Sequence, residues 1–337
     1  MIGPLRLSFG NARMRARKSC LRNARDARRL RSIPGVASFA EALGLAPVTG
    51  EPELERALFD RLLDDYRRVL EDYPPGRPLL RALLARHEVE NLKLGWRAVA
   101  RRLPSDRWVR LWRPLGHLET LPLESWSEAS SLADAVRDTG RTPFGPIARE
   151  TLQAHGDDEA AAELCLDRFT FARIAEEAAR LPRRETAARR LAMSLVYERD
   201  FDAFRRSIVF SGLSPELAGA ATVRLGDVLP TEALPRLAAW TSGPLPFDRR
   251  PFRGVLPADR AISDWDALRL AIRRERVASC RRAFAGPPFR VGPAVAFLLL
   301  REAETRALTA LGSRLSDQRG EGAAALERAL AASLLGG

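Results

Sequence analysis

Apolar residues recur along most of the chain at the three- and four-residue spacing of an α-helix, whereas two-residue alternation is never sustained. The pattern predicts helices over residues 8–31, 51–71, 78–102, 125–138, 159–180, 185–211, 232–240, 264–284 and 293–315. The breaks between them are rich in proline and glycine, as in YPPGRP, RTPFGP and AGPPFRVGP. EGAAALERALAASLLGG, at residues 321–337, is a further short helix candidate. The sequence therefore predicts an all-α protein.

Three of the long helices carry an acidic residue near the middle and share an apolar stripe. The acids are Glu88, Asp200 and Glu304, at spacings of 112 and 104 residues. Offsets of 1, 4, 8 and 11 residues after each acid lie on one face of a helix. These offsets give Val89, Leu92, Trp96 and Val99 in the first helix, Phe201, Phe204, Ile208 and Ser211 in the second, and a weaker match in the third. The stripes predict three core-facing seams of common origin.

Turn-like segments around Gly35, Gly116 and Gly226 each lead into a short helical pattern, and each precedes one of the long acid-bearing helices by some 50 to 85 residues. We therefore expect three pseudo-symmetric helical units. Their predicted bounds are residues 1–113, 114–222 and 223–337.

The stretch HEVENLKLGWR, residues 87–97, concentrates polar side chains on one predicted helix. Glu88, Asn91 and Gly95 follow helical spacing beside the apolar seam. Asn91 can bridge a loop backbone, Glu90 can pair with Lys93 one turn on, and Gly95 suits close approach by a neighbouring element. A structural interpretation therefore accounts for every polar residue, whereas catalysis would require a nucleophile, a metal-ligand set or paired carboxylates.

The usual signatures of chemistry are absent from the sequence. It contains no GxxxxGK[ST], GxGxxG, HExxH, paired CxxC or GxSxG motif, and its three histidines lack ligand spacing. The pairs Glu198/Asp200 and Glu302/Glu304 lie on different helix faces, which argues against a shared proton. We expect no catalytic site, metal or cofactor. For the tryptophans near Gly116, helix packing is favoured over the alternative of an aromatic binding platform.

Composition and charge refine this picture. The 337 residues are 46% hydrophobic, and the three cysteines are too few and scattered for a disulfide framework. The longest apolar run, VGPAVAFLLL, is about half of the roughly 20 residues a spanning helix needs.

The net charge of +12 is concentrated in residues 1–32, which hold ten bases and one acid. A transit peptide is an alternative interpretation of this segment, disfavoured because it continues into a helical pattern. The predicted basic surface comprises Arg13, Arg15, Arg17 and Lys18.

These motifs resemble one known family in their order and spacing. FGNARMRARKSCL is similar to the aromatic-x-N-A-R-x-R-A opening of the membrane-sector C/d subunit of archaeal-type and vacuolar-type rotary ATPases. HEVENLKLGWR resembles the acid-x-x-N-L-K-x-x-x-R helix of that family. RPLGHL, the stretch from LCLDRFTF through YERDFDAFRRSIVFSG, and FLLLREAETRAL then follow in the family's order, so the resemblance spans residues 9 to about 315.

The resemblance implies three helical bundles arranged as a funnel with a central cavity. It further implies a non-catalytic rotor subunit that links the central stalk subunits, of the D/F type, to the proteolipid ring for proton or sodium transport. Such a subunit is peripheral, on the cytoplasmic side of the membrane. Anionic lipid headgroups are a further candidate partner for the basic N-terminus.

The candidate contact residues follow from the same resemblance and from the repeat. They are Glu88, Asn91, Lys93, Arg97, Asp200, Arg205 and Glu304. The second and third helices depart from the family pattern, because Ala203 and Ala307 stand where the asparagine is expected. The alternative function is a nucleic-acid-binding helical protein that uses the basic N-terminal helix to contact phosphates.

Overall fold

The computed structural model describes residues 3–22, 24–257 and 261–316, and within these ranges the protein is all-α, as the sequence predicts. The predicted C-terminal helix lies outside the described residues. The helices are α1 (Gly3–Ser19), α2 (Ala24–Arg31), α3 (Val36–Ala42), α4 (Glu51–Asp72), α5 (Arg77–Ala100), α6 (Ser105–Trp108), α7 (Leu123–Glu128), α8 (Leu132–Thr139), α9 (Gly145–His155), α10 (Glu159–Arg180), α11 (Thr186–Val209), α12 (Pro215–Ala220), α13 (Leu225–Val228), α14 (Ala233–Ala238), α15 (Trp265–Ala285) and α16 (Gly292–Ser316).

The six long helices predicted from periodicity, α4, α5, α10, α11, α15 and α16, are confirmed to within two residues at each end. The single helix predicted over residues 8–31 is wrong. The chain leaves α1 at Cys20, and the backbone N–H of Arg22 donates to Glu304 at 2.6 Å instead of continuing a helix. A side-chain acceptor from a distant helix thus ends the element, which local periodicity does not reveal.

Two further differences concern short helices. The predicted helix over residues 125–138 is divided into α7 and α8, because Ala129 is extended and Ser131 caps α8 by accepting from the Asp134 N–H at 3.2 Å. The helix α9 was not predicted. RTPFGP was interpreted as a break, whereas Pro146 occupies the first turn of α9, where its missing N–H costs nothing.

The chain divides into two compact units. Unit 1 comprises Met1–Leu80, Arg180–Ser194 and Thr241–Gly337, so far as these ranges are described, and unit 2 comprises Arg81–Ala179 and Leu195–Trp240. This division does not test the predicted three-way repeat, and the funnel arrangement also stays a prediction.

In unit 1 the apolar α16 packs against α1, α3, α4 and α15. One hydrophobic cluster there joins Phe39 of α3 to Leu54 and Leu58 of α4 and to Leu308 and Leu311 of α16, all at most 4% exposed. None of the helices in the described residues combines the length and apolar character needed to cross a membrane.

The core of unit 2 gathers around the seam of α5. Trp96 packs with Trp126 of α7 at a centroid distance of 6.4 Å, and Trp108 and Trp112 lie in the same buried cluster. The expectation that these tryptophans serve packing is confirmed. Gly95 is the point of closest approach, because a Cβ atom there would lie 2.7 Å from the Trp126 ring.

Candidate functional site

Glu88 on α5 ties the helix to the backbone of a loop in unit 2. Its side chain is buried, and its Oε1 accepts hydrogen bonds from the N–H groups of Thr120 at 2.5 Å and Leu121 at 2.8 Å and from the Thr120 hydroxyl at 2.5 Å. Burial raises the pKa of Glu88, and these three hydrogen bonds oppose the rise. The Glu88 carboxyl group therefore serves to hold the loop at Thr120 and Leu121 against α5.

Asn91, one turn further along α5, makes the loop contact that the sequence suggests. Its side-chain amide donates to the Arg113 carbonyl at 2.8 Å and accepts from the Arg113 N–H at 2.9 Å. An amide side chain is suited to this pairing because it offers both a donor and an acceptor. Glu88 and Asn91 together attach both ends of the segment 113–121 to α5.

We expect Asn91→Ala to lower the free energy of unfolding by about 1–2 kcal/mol, because both backbone groups of Arg113 lose their partner. Urea unfolding monitored by circular dichroism measures the change. Ser127→Ala is the control, since Ser127 is only partly buried and its hydroxyl donates to a carbonyl of its own helix. Equal stability of the two variants would show that the Asn91 pairing contributes nothing.

Asp200 on α11 repeats the role of Glu88. Its carboxylate accepts from the N–H groups of Val223 at 2.8 Å, Arg224 at 2.8 Å and Leu225 at 3.1 Å. Ala203 occupies the asparagine position, as the sequence shows, so this turn lacks the amide contact that Asn91 makes from α5. Asp200 is 1% exposed, and burial raises its pKa to about 6 against the pull of the three hydrogen bonds.

This shift gives a pH dependence of known sign. A carboxyl group whose pKa is higher in the folded chain than in the unfolded chain contributes stability that is lost as the pH rises through that interval. For Asp200 the interval runs from 3.8 to about 6. We expect the wild type to lose stability relative to Asp200→Asn as the pH rises across it, in urea titrations at a series of pH values. If the wild type instead gained stability over this interval, the three N–H hydrogen bonds would lower the pKa of Asp200 more than burial raises it.

Glu304 on α16 holds the third of these positions, in unit 1. It accepts from the Arg22 N–H at 2.6 Å and pairs with Arg301, whose guanidinium also contacts Asp65 of α4 at 2.6 Å. Glu302, two residues earlier, accepts from the Tyr66 hydroxyl at 2.5 Å. The two carboxylates thus have separate partners. At the same predicted offset, all three helices carry an acid that binds a backbone N–H of a separate segment.

A ladder of ion pairs runs between α5 and α10 within unit 2. The bases lie at intervals of four residues on α5 and in the turn directly after it, which holds Arg101, and the acids lie at intervals of four on α10. The rungs are Lys93–Asp167 at 3.0 Å, Arg97–Glu163 at 3.4 Å and Arg101–Glu159 at 2.6 Å. Rising numbers on α5 meet falling numbers on α10, so the two helices are antiparallel.

The helix α11 joins this ladder from a second side. Arg199 pairs with Asp167, and Arg206 pairs with Glu163 at 3.2 Å. The order of these contacts makes α11 parallel to α5, as two equivalent helices of a repeat would be. Arg205, the predicted contact residue, is half-buried on α11 beside Arg206.

Sequence reasoning named Lys93 and Arg97 but missed their acidic partners on α10. The signal was present in EAAAELCLD, where Glu159, Glu163 and Asp167 follow a spacing of four residues. This spacing alone does not identify the partners, because an exposed acidic stripe and a paired acidic stripe have the same pattern.

Lys93 is the most buried base of the ladder. Its ammonium lies 2.5 Å from Glu90 and 3.0 Å from Asp167, and burial lowers its pKa. The chain has two lysines and 53 arginines, so the lysine at this position is not a matter of composition. A compact ammonium fits between two carboxylates where a planar guanidinium needs more room.

The predicted basic surface of α1 is partly engaged within unit 1. Arg13 pairs with Asp72 at 3.0 Å, and Arg17 pairs with Asp65. Lys18 lies over the Phe284 ring, 4.9 Å from its centroid. Arg15 is exposed. The N-terminal positive charge therefore serves in part to attach α1 to the acids of α4.

The buried thiol of Cys280 and the small cavity beside it offer little room for chemistry. Burial raises the pKa of the Cys280 thiol to about 12, so it stays protonated at neutral pH. A cavity of about 30 Å³ lies beside it in unit 1, lined among others by Arg276 and Leu299, and has room for about one water molecule. Across the described residues, no cluster of three histidine, cysteine or carboxylate side chains is arranged to hold a metal ion.

Comparison with known families gives one finding. The model of the family described as ATP synthase (C/AC39) subunit matches residues 10–318. The match takes in the second half of α1, the three helices of the ladder and α16, and so includes every acid described above. No curated protein matches the sequence.

Proposed function

The chain belongs to the ATP synthase (C/AC39) subunit family, and from this premise we propose that it is the non-catalytic rotor subunit that links the central stalk to the proteolipid ring of a V/A-type ATPase. Its partners are stalk subunits of the D/F type and the cytoplasmic face of the ring. It is peripheral to the membrane and serves proton or sodium transport. The family match over residues 10–318 is the observation that carries this proposal.

The construction of the helices supports a mechanical role. A subunit that passes torque must resist twisting, and close-packed interiors transmit strain. The ladder adds charged cross-links between α10 and its two neighbours, α5 and α11. Its inner rung is buried, with Lys93 5% and Asp167 3% exposed, so salt screens it much less than a surface pair.

The recurrent acid supports the three-unit organisation, which we also propose. Glu88, Asp200 and Glu304 sit at equivalent places on three long helices, and each accepts hydrogen bonds from backbone N–H groups of a separate segment. Hydrogen bonds to a carboxylate are stronger than neutral ones. Three helices built alike, each fastened to a turn, are what a threefold repeat requires.

Burial limits which of the predicted contact residues a partner can touch directly. Glu88, Asn91, Asp200 and Glu304 are buried and bonded within their own units, so we propose that they shape the turns that a partner touches. Arg97, with 43% of its side chain exposed, is the candidate for direct contact.

The nucleic-acid-binding alternative loses part of its basis. It relies on the arginines of α1, and the ion pairs of Arg13 with Asp72 and Arg17 with Asp65 already engage two of them. A phosphate-binding arm would require those cations to face solvent.

The proposal is tested by purification of the tagged full chain from solubilised membranes. We expect the proteolipid and the central stalk subunits to co-purify in mild detergent at a fixed ratio. Recovery of the chain without both partners, or with nucleic acid in their place, would contradict the proposed function.

A further inference from the structure

Several segments of unit 1 converge at residues 290 and 291, just before α16. The N–H of Val291 donates to buried Glu185 at 2.9 Å, which places the loop 181–185 beside this point. The Asn11 amide of α1 donates to the Arg290 carbonyl at 3.4 Å. Gly76, which follows α4, packs so closely on Val291 that a Cβ there would lie 2.6 Å from it. These contacts fix the segments as one continuous end of unit 1.

This end of unit 1 exposes positive charge. Arg183 and Arg184 are exposed, and no ion pair involves either of them among the described residues. Arg290 is 31% exposed and 4.0 Å from Glu185. Two carboxylates near these arginines are occupied, because Glu185 is bound to Val291 and Asp72 is paired with Arg13, whereas Glu71 is exposed. The exposed charge is therefore predominantly cationic.

An aromatic side chain projects from the same end. Phe289 is 47% exposed in the AGPPFRVGP loop, where its φ is 63°, and it directly precedes Arg290. A large exposed ring is apolar surface that a partner can cover. A projecting ring beside arginines matches the interface of an anionic bilayer, where rings enter the headgroup layer and guanidinium groups meet phosphates.

We propose that this surface, formed by Arg183, Arg184, Phe289 and Arg290 and here called the Phe289 face, docks on the anionic phospholipid surface of the membrane. The choice of a lipid surface rests on the proposed function, because the family is that of a membrane-associated ATPase. Nucleic acid, whose phosphates and bases would meet the same side chains, is the alternative that the test distinguishes.

The inference is tested by sedimentation of the full chain with vesicles. We expect it to bind vesicles of phosphatidylcholine mixed with phosphatidylglycerol, to release them at high salt, and to ignore phosphatidylcholine alone. The double variant Arg183→Gln, Arg184→Gln should partition about tenfold less or weaker still, since each arginine near an anionic surface adds affinity. Phe289→Asn should also bind less, and asparagine tolerates the positive φ, so the backbone is preserved.

The matched control removes two exposed arginines from unit 2, as Arg107→Gln, Arg110→Gln. It has the same net charge as the first variant and should bind like the wild type. Thermal melts establish that all variants fold. Absence of binding to anionic vesicles, equal loss in control and test variants, or a preference for an oligonucleotide over vesicles would overturn the inference. A chain that co-purifies with the proteolipid yet ignores vesicles would keep the proposed function and lose this one.

Discussion

Replacement of Asp167 by alanine is expected to lower the free energy of unfolding by about 3 kcal/mol, at the lower end for a broken buried ion pair, because Lys93 keeps only Glu90 and the partly buried Arg199 loses its ion-pair partner. Asp167 is 3% exposed and pairs with Lys93 from α5 and Arg199 from α11. Its removal therefore breaks the only contact described here that joins all three helices of the ladder at a buried rung. Urea unfolding followed by circular dichroism measures the effect.

The control for Asp167 lies at the other end of the ladder. Glu159→Ala removes a rung whose arginine is 61% exposed, and solvent-exposed pairs contribute at most about 1 kcal/mol. A comparable loss in the two variants would mean that burial does not decide the strength of the rungs. A negligible loss of unfolding free energy in Asp167→Ala would contradict the proposal that the ladder stiffens the helices.

Replacement of Gly95 by valine is expected to cost about 3 kcal/mol, at the upper end for overpacking of a core. A Cβ atom at this position lies 2.7 Å from the Trp126 ring, and the ring is held in place. Trp126 is 1% exposed, and its indole N–H donates to Thr139 at 3.0 Å. The substitution loses stability although valine has the better helix propensity.

A double-mutant cycle identifies the cause of that loss. In a Trp126→Ala background the space opens, so Gly95→Val should cost much less than in the wild type. Unfolding free energies of the four proteins give the coupling directly. An unchanged cost in the Trp126→Ala background would show that the clash with the ring is not responsible.

Much of the fold is readable from periodicity because the long helices bury a stripe. The seam of Val89, Leu92 and Trp96 is buried as a 3.6-residue period requires, and Gly95 does admit the close neighbour that its propensity cost suggested. The break after α1 was not readable. The Arg22 N–H bonds to Glu304, 282 residues away, and local patterns carry no information about such a partner.

The contacts of the candidate site also fall into those that the sequence predicts and those that it does not. The Glu90–Lys93 pair lies within one helical turn, and the sequence predicts it. The sequence also predicts that Asn91 binds a loop backbone, but not that its partner is Arg113, 22 residues away. The partners of Asp200 and Glu304 were not predicted, because a carboxylate that binds backbone N–H groups is indifferent to the side chains of its partner residues. No sequence motif marks those turns. The Phe289 face was missed for a related reason, since the contacts of Val291 bring together segments from three parts of the chain.

Measurement of ion pumping against ATP hydrolysis, in membranes with and without the chain, tests the central claim most directly. Without the chain we expect the catalytic sector to hydrolyse ATP while ATP-driven ion transport is lost, and addition of the purified chain to restore transport. Transport that persists without the chain, or hydrolysis that requires residues of the chain for catalysis, would contradict a mechanical coupling role.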